Sequence, residues 1–330
     1  MARHSRKGTL NQMDRRTFTK RMGQAGLAVA GSSAMPSIFS QEASNTAMKD
    51  KSEIELLASY WTIAGGAFPA TAQEYSPFDL RDRAEACGRV GFKGMGFWHA
   101  DVERILETYT AREMKQILDD NGIEHVELEF IMEWFTDGER RQAADQIRNL
   151  LLSTAETVEA RHIKIGDLSG DTAPMDRLIE EYSQLCAEGA NHGTNIIFEL
   201  IPGMVAGTLE EAMTMIEGAN QDNGGLMVDM WHFHSLEIAN SKTEKLPLKY
   251  LKGVELNDGP VKITGDWRTQ TVDHRRLCGD GEFDVRGLIA AVQKVGYKGP
   301  YGVEVLNKYM RSWSLDELVS QAYETTMKMF

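Results

Sequence analysis

From residue 53 onward, short runs rich in β-branched and aromatic residues alternate with amphipathic runs, and the alternation repeats eight times. The β-type runs are IELLASYWTIA, GMGFWHAD, EHVELEFI, RHIKIGDL, TNIIFELIPG, GGLMVDMWH, YLKGVELND and YGVEVLN. Between them lie helical runs such as SPFDLRDRAEACGRVG, TAREMKQILDDNG, PMDRLIEEYSQLCAEGANHG, TLEEAMTMIEGAN and DVRGLIAAVQKVG, and SLDELVSQAYETTMKMF closes the chain. Many helical runs stop at Gly or Asn-Gly, which accepts the left-handed conformation that ends a helix. Strict alternation of this kind requires parallel strands joined by right-handed crossovers. Eight units in about 280 residues predict an α/β fold closed into a (β/α)8 barrel. The alternative is an open doubly wound sheet, which usually carries a Gly-rich phosphate loop after an early strand. No G-x-G-x-x-G or Walker-type sequence follows any of these strands.

Each of the last four β-type runs places an acid at or near its C-terminal end: Glu199, Asp229, Glu255 and Glu304. In a (β/α)8 barrel those ends form one rim, where active sites sit. Strands five to eight are neighbours, so the four carboxylates are expected to meet. Unpaired, they would repel one another and pay for desolvation. One bound divalent cation is the simplest remedy, and an all-oxygen set suits a hard ion such as Mn²⁺ or Mg²⁺, with Co²⁺ or Zn²⁺ as further candidates.

The first residues differ from the rest. Paired Arg15 and Arg16, Phe18 and Lys20 precede a Gly/Ala-rich stretch that ends near Ser32 and Ala34. That order resembles a twin-arginine export signal over residues 1–34, followed by a polar tether over 35–52 and the catalytic barrel over 53–330. The expected location is periplasmic or otherwise extracytoplasmic, with no membrane anchor after cleavage. Thirty-six Lys/Arg less the 7 in residues 1–34, against 49 Asp/Glu less 1, leave a net charge of −19 on the remainder. Such a surface repels nucleic-acid backbones and anionic membranes. No run of eighteen apolar residues occurs. Cys87, Cys186 and Cys278 are far apart, with no Cys-x-x-Cys, so neither a zinc knuckle nor a disulfide framework is expected.

The segments FEL, VDMWH, VELND and GDGEFDVRGLIAAVQKVGYKGPYGVEVL, taken in order, resemble the xylose-isomerase-like barrels, specifically the sugar phosphate isomerase/epimerase group. The resemblance runs from about Glu53 to the C-terminus and implies a metal held by acids on strands five, six and eight with a His or Gln on strand seven. Carried over, the ligands are Glu199, Asp229, Glu304 and position 255. Position 255 is Glu here, which makes the site more acidic and offers Arg275 or Lys252 as competing partners. His232 completes the family's Asp-x-x-His and is expected to hold a substrate hydroxyl or orient a ligand; a structural histidine is the plain alternative. His234 reads as structural. Asn257 and Asp258 read as partners that orient Glu255, or as a turn.

Trp61 ends the first run, and Trp98 and His99 end the second, an aromatic wall for a sugar's CH face or ordinary packing at the barrel top. Lys164 ends the fourth run, where its stem packs while its ammonium reaches the site. Glu129 ends the third run and suits the site or an ion pair equally. Arg275 and Arg276 lie on the long loop before strand eight, placed to meet a substrate oxygen or anion. Asp284 reads as a helix N-cap.

The leading reading is therefore a metal-dependent isomerase or epimerase of a keto-sugar or related polyol. Glu199 and Glu304 exchange a proton beside the carbonyl through an enediolate. A lyase or dehydratase shares the first half of that reaction and is the runner-up. An apurinic-site endonuclease would need more rim histidines, and a catalytically silent sugar-binding barrel would not need both glutamates. The expected partner is a small sugar; homo-oligomerisation is left open.

Overall fold

The computed structural model describes residues 53–330. The expected export signal and tether lie outside the described residues. Eight parallel strands close into a barrel in sequence order: β1 Leu56–Ala58, β2 Gly94–Trp98, β3 His125–Ile131, β4 His162–Ile165, β5 Asn195–Glu199, β6 Gly224–Asp229, β7 Leu251–Leu256 and β8 Tyr301–Val303. Closure is made by β1 and β8, paired from Leu56↔Tyr301 to Ala58↔Val303. The helices are α1 Tyr60–Ile63, α2 Leu80–Val90, α3 His99–Leu106, α4 Ala111–Asp120, α5 Gly138–Val158, α6 Met175–Asn191, α7 Leu209–Ala219, α8 Met230–Ser235, α9 Asn240–Thr243, α10 Trp267–Asp273, α11 Val285–Val295 and α12 Leu315–Met327. Helices α4, α7 and α12 begin with reciprocal capping boxes, Thr110/Glu113, Thr208/Glu211 and Ser314/Glu317, which satisfy two otherwise orphaned backbone donors at each start. Gly91 and Gly296 end α2 and α11 in the left-handed conformation. Among the described residues no helix is long and apolar enough to cross a membrane.

Alternation along the strands sorts two cores. Val126, Leu128, Ile163 and Ile165 join the main apolar core beneath the helices. Their neighbours Glu127, Glu129, His162 and Lys164 are buried as well. Lys164 on β4 reaches Glu255 on β7, a strand that is not its neighbour, so both side chains point into the barrel. Aliphatic layers usually fill a barrel of this kind; here one sector of the interior is filled by charge.

The sequence expectation fails locally in three places. The first β-type run is a strand only over Leu56–Ala58, and Trp61 lies on the helical turn α1. His99 opens α3 rather than ending β2. The long loop before β8 holds α10, whose N-cap Asp266 accepts a hydrogen bond from the Thr269 amide. The expected N-cap Asp284 does accept from the Gly287 amide.

Candidate active site

Glu199 and Asp229 are the last residues of β5 and β6, Glu255 is the penultimate residue of β7, and Glu304 directly follows β8. The chain thus delivers four carboxylates to one sector of the barrel's C-terminal mouth. One oxygen from each lies within 4.8 Å of those of the other three. Glu199 is the most open of them, at 6% exposure, and Glu255 is fully enclosed at 0%.

Each acid is held by different donors. Asp229 Oδ1 caps α8, accepting from the amides of Trp231 at 2.6 Å and His232 at 3.2 Å. Asp229 Oδ2 accepts from Arg275 Nη1 at 3.0 Å, and the same nitrogen donates to Glu304 Oε2 at 2.8 Å. Burial opposes ionisation of Asp229, but Arg275 and His232 outweigh it and hold the carboxyl well below the usual range. Glu304 Oε1 accepts from Lys164 Nζ at 3.0 Å. Glu255 Oε1 accepts from Lys164 Nζ at 2.8 Å and from Ser59 Oγ at 2.9 Å. Glu199 Oε1 lies 3.1 Å from His232 Nε2. His232 thus shares a residue pair with both Glu199 and the Asp229 cap, and it ties β5 to α8.

The sector is short of cations. Glu127, Glu129, Glu199, Asp229, Glu255 and Glu304 are all buried, against Lys164 and Arg275. Surplus buried carboxylates take up protons. Burial, with Glu304 adding to it, pushes Glu255 far up. Burial also lifts Glu129 to about 8 even though Lys164 opposes the shift. Glu255 Oε2 is buried and has no hydrogen-bond partner among the described residues. Four converging acids, one of them with an unpartnered buried oxygen, fit a hard divalent cation. The residues placed to hold one are Glu199, Asp229, Glu255 and Glu304.

An aromatic cluster lies beside the acids. Tyr60, Trp98, Phe130 and Ile201 form it, with Trp61, Met132, Met204 and Trp267 packed against it. The Trp98 ring lies 5.1 Å from Trp61 and stacks parallel to Phe130 at 6.0 Å. Trp267 extends the cluster to the His232 ring, 5.9 Å away. His99 packs at a tilt against Trp98, ring centroids 4.6 Å apart, and burial pushes its imidazole down to about 4, so it is neutral at pH 7. The aromatic residues expected at the mouth are therefore together, though Trp61 arrives from a helical turn.

Other expectations are redirected. The Lys164 ammonium does reach the site, but it is fully buried there as the partner of Glu129, Glu255 and Glu304 rather than left free for a substrate, and these acids hold its pKa high despite burial. Arg275 is not a free anion-binding group but a bridge between Asp229 and Glu304, with its guanidinium 5.6 Å over the Trp231 ring. Arg276 is exposed and donates to the Asp280 carbonyl. Glu255 pairs with Lys164, whereas Lys252 donates to the Asp222 carbonyl. Asn257 reaches Asp229 at 3.4 Å rather than Glu255. Asp258 organises the long loop, accepting from the amides of Gly259, Gly279 and Phe283. His234 is structural, stacked on Phe283 at 3.8 Å. Sequence reading missed Ser59, Phe130, Trp267 and the Glu127–His162 pair, which meets at 2.6 Å. Only Glu127 left a signal, since Glu127 and Glu129 share one face of HVELEFI.

The model of the xylose isomerase-like TIM barrel family matches residues 84–327. The chain is 26% identical over 246 residues to a 3-dehydroshikimate dehydratase of Pseudomonas aeruginosa, covering 71% of this chain and 37% of that one. It is 24% identical over 143 residues to an inosose isomerase of Halalkalibacterium halodurans, covering 42% of this chain and 49% of that one. The chain thus spans less than half the length of either relative. Among solved structures, the IOLI protein with a bound zinc atom superposes with a TM-score of 0.72 at 16% identity, over 84% of this chain and 98% of that one. That likeness concerns the fold.

Proposed function

Since this chain belongs to the xylose isomerase-like TIM barrel family, we propose that it is an enzyme that isomerises or epimerises a keto-sugar or related polyol by moving a proton beside the carbonyl. The observation that carries this is the convergence of Glu199 and Glu304, delivered by β5 and β8 and held by separate partners. Two carboxylates fixed independently are suited to opposite roles, one taking a proton and the other returning it. Lys164 and Arg275 clamp both oxygens of Glu304, so its orientation is set before substrate arrives. Glu199 pairs with His232 and is the most open of the four acids, which suits it to meet the substrate's C–H. His232 keeps that carboxylate in place and stands beside Trp267, at the edge of the aromatic surface. Trp61, Trp98 and Phe130 offer that surface to the apolar CH face of a sugar and exclude water from it. Glu199, Asp229, Glu255 and Glu304 would hold a divalent ion, with Mn²⁺ or Mg²⁺ favoured by the all-oxygen set. Such an ion supplies positive charge to an oxygen that gains negative charge as the proton leaves. The substrate is an uncharged sugar, because Lys164 and Arg275 are both already bound by carboxylates.

A second reading is elimination of water or a glycosyl group from a keto-sugar or keto-glycoside. It is supported by the similarity to a dehydratase over 71% of this chain, and it uses the same proton abstraction. Export by the twin-arginine route is part of the proposal and places the substrate outside the cytoplasm.

The test is incubation of the purified protein with keto-sugars and keto-glycosides in D₂O, followed by mass spectrometry and NMR of the products. An isomer or epimer carrying one deuterium beside the carbonyl supports the first reading. An unsaturated product or released sugar selects the second. Turnover of a substrate without a carbonyl argues against both, and an isomer or epimer free of solvent deuterium throughout the early reaction argues against the first.

A further inference from the structure

Lys164 is a fully enclosed charge at the barrel's centre. Its Nζ lies 2.8 Å from Glu129 Oε2, 2.8 Å from Glu255 Oε1 and 3.0 Å from Glu304 Oε1, with Glu127 Oε1 at 3.7 Å, and its side chain is 0% exposed. An ammonium normally keeps part of its hydration, and burying it is costly unless acids replace that shell. Here carboxylates from β3, β7 and the end of β8 do so, which is how a barrel mouth would also hold a metal ion. The second oxygens of Glu129 and Glu255 are buried and lack partners among the described residues. Two of the acids on Lys164, Glu255 and Glu304, also belong to the four-carboxylate ring.

We propose that the Lys164 ammonium is a built-in cation that fills a second cation position beneath the candidate metal site. It fixes Glu255 Oε1 and Glu304 Oε1, so that Glu255 Oε2 is presented to the ring. Lys164 is thus a positioning residue for Glu255 and Glu304, and it touches no substrate. Arg275 does the corresponding work on the other side, joining Asp229 to Glu304. With Lys164 and Arg275 counted wholly to the ring, its four ionised carboxylates keep two uncompensated charges, the number that one divalent ion neutralises. The ion count rests on the proposed function; the pairing of Lys164 with Glu255 does not.

Two experiments test it. The first is a stability cycle run in chelator, so that no metal enters. Lys164→Met keeps the stem and removes the charge, leaving Glu129, Glu255 and Glu304 facing one another. Its melting temperature should fall by about 10 °C, as expected for one partner lost from a buried ion pair in a chain of this size. Adding Glu255→Gln should return about half of that loss, because it removes the acid that the ammonium serves. A double variant no more stable than Lys164→Met overturns the pairing. Should Lys164→Met fail to fold, recovery of a folded double variant supports the pairing and failure of both overturns it.

The second experiment measures Mn²⁺ per chain by native mass spectrometry. Lys164→Ala leaves the carboxylates around an open space. The wild type should hold one ion and Lys164→Ala two, with methylamine competing for the second. A folded Lys164→Ala that holds no more Mn²⁺ than the wild type overturns the second cation position. A wild type that takes up no Mn²⁺ sinks the metal part of the proposed function instead, while the stability cycle still decides the role of Lys164.

Discussion

Arg275 shows how one side chain shapes the chemistry of two. Its Nη1 serves both Asp229 and Glu304, its Nε donates to the Thr271 carbonyl at 3.1 Å, and it is 3% exposed. Replacing it by Met leaves two buried carboxylates without their shared cation. We expect a loss of roughly 3–5 kcal/mol in denaturant unfolding, the usual cost of breaking a buried pair by removing one partner. A loss under about 1 kcal/mol, the range of exposed pairs, would mean that water or another cation takes over. Arg275→Lys should recover little, since an ammonium cannot reproduce the planar fork that spans both acids and the carbonyl. At this scale the sequence was partly legible. Acids at strand ends were visible because strand position is a local property. The partners were not: Lys164 meets Glu255 across 91 residues and Arg275 meets Asp229 across 46, and no local pattern encodes a meeting across the barrel.

Elements place these groups by giving up side chains elsewhere. Gly302 on β8 sits opposite Glu255 in the β7–β8 register. A Cβ on Gly302 would lie 2.7 Å from Glu255 Cγ and 3.0 Å from Ser59 Oγ. Gly302→Ala should therefore cost about 1–3 kcal/mol by overpacking. It should also weaken Mn²⁺ binding, because Glu255 can yield only by turning away from the ring. Calorimetric titration with Mn²⁺ checks this; unchanged affinity would show that Glu255 does not contribute to the ion. Gly281 plays a similar part in the long loop, where an added Cβ would meet Asp258 Oδ1 at 2.1 Å. Most strands and helices could be read from periodicity and caps. The first β-type run could not be bounded, because aromatic and β-branched residues continue past Ser59 into the turn α1. Tertiary contacts decide that boundary, with Tyr60 fully buried in the aromatic cluster.

Across the whole molecule, the barrel joins two surfaces that the sequence lists far apart: a carboxylate sector from β5 to β8 and an aromatic sector centred on Trp61, Trp98 and Phe130. Ring closure was legible from the count of eight alternating units. Filling the interior with charge was not, since barrels of this kind are usually filled by aliphatic layers. A bound ion should couple this interior to global stability, because a ligand that binds only the folded state raises its melting temperature. Chelator should lower the melting temperature of the metal-loaded protein, and Mn²⁺ should restore it. Asp229→Ala should remove that response. A response that persists in Asp229→Ala would place the ion elsewhere.

The central claim is that Glu199 and Glu304 move the proton, and solvent exchange tests it most directly. Glu199→Gln and Glu304→Gln each keep the size of the side chain and remove the base. On a confirmed substrate in D₂O, each variant should lose at least about a hundredfold in turnover, the low end for general acid–base catalysis. One of the two should still place deuterium beside the carbonyl while forming no product, which identifies the other residue as the initiating base. Wild-type rates of both exchange and product formation in both variants would contradict the account and leave the two glutamates as structural or metal-holding groups.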